Sequence, residues 1–183
     1  MYKNLLSKFF IVISSREMML LICMFMLITS LPLVAELTHF VFNYWKTNPT
    51  LEEIGEMQEL IDGYGGILVA AGVFFEERET LIHLSHKRNQ KEQAEPTKLE
   101  TYLNLIAHHN GMGILLMGLF VEIGSQIMEM PSRVINTDGI EVYILAICLF
   151  LSYIAIIIQL DFIKDFGKTY FLKQYKNNQP DVH

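Results

Sequence analysis

Apolar residues in this chain come in long unbroken runs rather than in alternation. Residues 18–35 form an uncharged run of 18. Residues 102–121 contain no Asp, Glu, Lys or Arg, and residues 142–160 contain none over 19 positions. Each run is close to the ~20 residues that carry an α-helix across a bilayer core about 30 Å thick. A fourth run, 63–75, has only 13 uncharged residues. Its length alone leaves it ambiguous, and the basic residues decide its reading.

Lys3, Lys8 and Arg16 precede the first run, and Lys46 alone lies between the first and second. Arg78, Lys87, Arg88, Lys91 and Lys98 lie between the second and third, with only Arg133 between the third and fourth. Lys164, Lys168, Lys173 and Lys176 follow. Four crossings put 12 of the 14 basic residues on one side, and three crossings break that alternation. The positive-inside rule then predicts cytoplasmic N- and C-termini, with 46–55 and 129–138 outside. The first run is longer than the ~7–15-residue core of a signal peptide, and 33–35 is a poor cleavage site, so it reads as a retained span.

Helix starts are marked by possible capping boxes at Ser14/Glu17, Thr50/Glu53 and Thr97/Glu100, by Asp138, and by prolines at 49, 96 and 131. They predict helices over 15–45, 51–90, 97–129 and 138–175, with a possible kink at Pro32. Short connections favour antiparallel neighbours. The expected fold is an all-α membrane protein: an antiparallel up-down four-transmembrane-helix bundle, N-in/C-in, with helices 2 and 3 extending into the cytoplasm. Residues 1–13 read as an amphipathic interfacial segment, 14–175 as the bundle and 176–183 as a polar tail. Gly63, Gly66 and Ala70 form a small-residue stripe, expected to face a neighbouring helix. Tyr44 and Trp45 fit the outer aromatic belt.

Composition narrows the function classes. The chain is 51% apolar and 19% charged, with a net charge of −6, which speaks against a nucleic-acid binder. Its two cysteines, Cys23 and Cys148, sit in apolar runs and read as buried thiols. There is no Walker A, G-x-S-x-G or H-E-x-x-H motif. His39 is outer while His108 and His109 are inner, so they cannot pair across one haem. No enzymatic role is expected.

Ionisable groups at membrane depth are costly and often functional. Glu36 and His39 lie one turn apart, as do Glu59 and Asp62, and Glu122 sits inside the third run. Counting Glu36, the outer side carries ten acidic residues against Lys46 and Arg133. Such a field concentrates cations. These residues suggest an outer metal site of Glu36, His39, Glu59, Asp62 and Glu122, with a divalent metal ion as the cofactor it would take. A secondary inner set is Glu76, Glu79, His108, His109 and Asp161. The function expected first is therefore cation handling, of a metal or a proton. The alternative is a non-catalytic structural or assembly subunit of a larger membrane complex. Expected partners are the lipid bilayer and either further copies or larger subunits, with a bacterial inner membrane as the location.

Overall fold

The computed structural model describes residues 15–47, 49–82, 98–130 and 139–177. The amphipathic segment 1–13, most of the cytoplasmic extension and residues 178–183 of the tail lie outside them. The described residues form four long helices: α1 (Arg16–Thr47), α2 (Leu51–Glu76), α3 (Lys98–Glu129) and α4 (Glu141–Asn177). A turn at Glu77, whose N–H bonds Val73 O at 3.0 Å, interrupts α2 before a short helical stretch, 78–82. The Thr50 capping box forms as expected: Glu53 N–H donates to Thr50 Oγ1, and Thr50 N–H donates to Glu53 Oε2 at 2.7 Å. The expected caps at Ser14, Thr97 and Asp138 fall on residues outside the described set. α1 runs on through Pro32.

Three helices are long and apolar enough to cross a membrane: Glu17–Tyr44, Glu100–Glu129 and Glu141–Lys168, with mean hydropathies of 2.4, 1.6 and 2.5. They are compatible with an integral membrane protein. α2 is not among them, because Gln58, Glu59 and Asp62 dilute its apolar run.

The most extensive packing is between α2 and α3. The buried positions of α2 include Met57, Ile61, Tyr64, Leu68, Ala71 and Phe75. Their alternating spacing of three and four is the seam of a helix lying nearly along its neighbour. Gly65 and Gly72 on α2 meet Gly111 and Gly118 on α3. A Cβ on Gly65 would stand 3.0 Å from Glu122 N, and one on Gly72 2.6 Å from Leu115 Cα. One on Gly111 would stand 2.6 Å from Glu76 N, and one on Gly118 2.7 Å from Val69 N. In each case the obstacle is backbone, which cannot swing aside. At 72, 111 and 118 only glycine permits this approach, while a Cβ at 65 requires a shift of a few tenths of an ångström; the residue numbers run in opposite senses along the two helices.

The expected stripe is therefore one residue out of register. Gly63, Gly66 and Ala70 are exposed, and a Cβ on Gly63 or Gly66 would meet nothing within 4 Å. On a helix, one position is a rotation of about 100°. That rotation separates Gly65, in the seam, from Gly66, outside it.

α3 also packs on α4, and α4 on α1, while α1 barely meets α2 despite the short connection between them. Gly124 lets Cys148 Sγ approach α3, where it contacts Val121 O at 3.8 Å. Cys23 Sγ contacts Gln159 O at 3.7 Å, and Thr38 Oγ1 lies 2.9 Å from Tyr153 Oη. Both thiols are free and buried, as expected. Phe75, Phe162 and Phe166 stack in sequence at 5.0 and 4.9 Å, joining α2 to α4.

Gly72→Leu is expected to destabilise the protein by about 3 kcal/mol or more, the upper end for overpacking against fixed neighbours. Gly66→Leu is expected to change stability by less than about 0.5 kcal/mol. Thermal unfolding of the two variants in one detergent checks this; equal losses would place both glycines in contacts of the same kind.

Candidate functional site

The residues of the expected outer site are spread over two helix surfaces and one seam. Glu36 and His39 on α1 are both exposed. Glu59 is exposed on α2. Asp62 and Glu122 are half-buried along the α2–α3 seam. There the backbone of Glu122 lies against Gly65, and Gln126 Nε2 donates to Asp62 Oδ1 at 3.3 Å. Ser125 adds a bond to Gln58 O at 3.4 Å. The seam thus brings Asp62 and Glu122 to one region of the fold. Among the described residues, no group of three or more His, Cys, Asp or Glu is placed to hold a metal ion.

The inner set divides similarly. Glu76 is half-buried against Gly111, and Glu79, His108 and His109 are exposed. His109 and Asp161 do come together. They line a groove of about 570 Å3 between α3 and α4, with Asn110 and Asp165 as its other polar residues. Leu105, Ile106 and Ile158 supply apolar walls. Asp161 and Asp165 are one turn apart on α4, and each has a lysine at ion-pair distance on the same helix: Lys164 at 3.9 Å and Lys168 at 4.0 Å. Asn110 and Asp165 were not among the expected residues. Asp165 follows Asp161 at helical spacing, which is the signal that points to it.

Polar groups also lie within the core. Ser30 and Ser152 each return their hydroxyl to a carbonyl one turn back, at 2.7 Å, so burial leaves them satisfied. Gln159 is fully buried, and neither its Nε2 nor its Oε1 has a hydrogen-bond partner. Arg78 is buried too, and its guanidinium donates to Asn104 Oδ1 on α3. That bond ties the segment after α2 to the start of α3. The sequence signal for Gln159 is its polarity, the one amide in the uncharged run 142–160.

Gln159→Met keeps the volume and removes an amide whose burial without partners costs about 1–3 kcal/mol. The variant is expected to unfold at a higher temperature than the wild type. A lower unfolding temperature would mean the amide makes a stabilising bond in the folded protein.

No protein-family model matches the chain, and no curated protein or solved structure matches it.

Proposed function

We propose that this chain is a small four-span integral membrane protein that serves as a non-catalytic structural or assembly subunit of a larger membrane complex. α2 is the fourth span in this reading. Its 26 residues measure about 39 Å, longer than the bilayer core. The distribution of basic residues supports cytoplasmic termini and, with them, a bacterial inner membrane.

One observation carries the assembly role. α1, α3 and α4 present large apolar side chains outward, among them Phe25 and Ile28, Leu119 and Phe120, and Phe150 and Ile157. Such surfaces suit lipid. α2 exposes Gly63, Gly66 and Ala70 beside Ile67 and Val73, with Glu56 and Glu59 at one end of that face. Hydrocarbon gains little from a glycine face, whereas a neighbouring helix can approach it closely. The occupant proposed is a transmembrane helix of another subunit with Lys or Arg near its outer end. A second copy in parallel would set Glu56 and Glu59 against their own counterparts, which disfavours it.

The half-buried Asp62 and Glu122 on the seam favour cation handling as a second reading, with Glu36, His39 and Glu59 guiding ions from the acidic outer side. Stabilisation by a divalent metal that is lost in Glu36→Gln/Glu122→Gln would select it. Equal behaviour of the two proteins would reject it.

Two outcomes are expected of the main reading. Membrane-impermeant thiol reagents should label cysteines placed at 48 and 135 from outside and miss one at 90. Gly66→Leu should abolish co-purification with larger membrane subunits while leaving the isolated chain as stable as the wild type. Labelling with the opposite sidedness, or unchanged co-purification, would refute the corresponding part.

A further inference from the structure

The groove between α3 and α4 has the chemistry of a binding site, and it stands apart from the α2 face. Its position follows from how the two helices meet. At Gly124 the α4 side chain of Cys148 fills the space a Cβ would take, 2.5 Å from it. Further along, at Gly113, the nearest α4 atom is the flexible tip of Ile158, 3.1 Å from where a Cβ would stand. The groove is lined by residues from Gly113 and Ile158 onward toward Leu105 and Asp165. Asp161 directly follows the uncharged run of α4, so the groove sits where the apolar span gives way to polar residues.

Its polar lining has one sign. Asp161 and Asp165 contribute carboxylates, and among the described residues no lysine or arginine lines the groove. The Asp161–Lys164 pair is long and largely exposed, the class of pair that binds weakly, while Asp165 pairs with Lys168 at 4.0 Å and has a further interaction besides. Asn110 Nδ2 is engaged with Ile106 O at 2.9 Å, which directs its donor to its own helix and leaves Oδ1 as an acceptor. His109 adds a ring nitrogen. The groove therefore offers acceptors and negative charge beside apolar walls. An anion is disfavoured by the two carboxylates. A small divalent ion needs three or more ligands converging at short range, and none do among the described residues. A primary ammonium suits acceptors that are spread out: it donates three hydrogen bonds, and its carbon skeleton can lie on Leu105, Ile106 and Ile158.

We propose that the α3–α4 groove binds the primary ammonium group of an amphiphilic or polyamine ligand, with Asp161 and Asp165 as its charged acceptors, Asn110 as a neutral one and His109 as a further polar wall. The ammonium has two plausible sources in a cell, an aminophospholipid headgroup of the inner leaflet and a soluble amine.

Native mass spectrometry of the full chain tests this, with phosphatidylethanolamine and phosphatidylcholine as lipid probes and spermidine and ethanolamine as soluble ones. Phosphatidylcholine carries the same charge but has no N–H donors. Retention of phosphatidylethanolamine at about tenfold lower concentration than phosphatidylcholine is expected, the effect of one charge-assisted hydrogen bond or more. Asp161→Asn/Asp165→Asn should erase the preference, and circular dichroism should show its helices intact. Asn110→Leu should weaken it severalfold. Binding of spermidine or ethanolamine, sensitive to the same variants, without a lipid preference would assign the site to soluble amines. Equal retention of both lipids with no binding of the free amines would overturn the proposal, as would a preference unchanged in the double variant.

Discussion

The bundle depends on the contact of α2 with α3 through four glycines. Gly65 and Gly72 are seven residues apart, and so are Gly111 and Gly118. A Cβ at Gly72, Gly111 or Gly118 would stand less than 3.0 Å from the opposing backbone, and one at Gly65 would stand 3.0 Å from it. In lipid there is little hydrophobic gain from pressing one apolar helix on another, so close van der Waals contact must supply it. This matters most for α2, whose uncharged run is the shortest of the four described helices. Its polar N-terminal turns, with Gln58 and Asp62, find partners on α3 through Ser125 and Gln126. The seam thus both packs α2 and satisfies its polar groups.

Around that pair the other helices are held by different means. α4 reaches α3 through Cys148 in the space left by Gly124, and it reaches α2 through the stack of Phe75 and Phe162. α1 rests mainly on α4. The consequence is a surface of two characters. Most of it carries large apolar side chains, while the outward side of α2 intersperses Ile67 and Val73 with glycine, alanine and carboxylates. That contrast arises because α2 has small residues on two faces and uses only one of them internally.

Much of this architecture was legible in the sequence. The uncharged runs at 18–35, 102–121 and 142–160 mark α1, α3 and α4, and the Thr50 box marks the start of α2. The identity of the buried face was not legible. In a soluble helix a polar face points to water and reveals the buried one. Here both faces of each span are apolar, so periodicity carries little direction. Gly63, Gly66 and Ala70 make a stripe as regular as Gly65 and Gly72. What distinguishes the second is the matching seven-residue pair on α3. The candidate sites were legible only as depth. Counting from helix ends puts Glu36, His39, Glu59 and Asp62 in the outer half, but it leaves the direction of each side chain open. Burial then separates the exposed Glu36, His39 and Glu59 from the half-buried Asp62 and Glu122.

The central claim is the register of α2 on α3, and oxidative cross-linking in native membranes tests it most directly. With Cys23 and Cys148 replaced by alanine, Gly65→Cys and Glu122→Cys should form a disulfide readily. The Cβ position at 65 stands 3.2 Å from Glu122 Cβ, near the ~3.5–4.5 Å that a disulfide requires. Gly66→Cys paired with Glu122→Cys should not cross-link. A bond from position 66 as efficient as that from position 65, or none from position 65, would contradict the glycine seam.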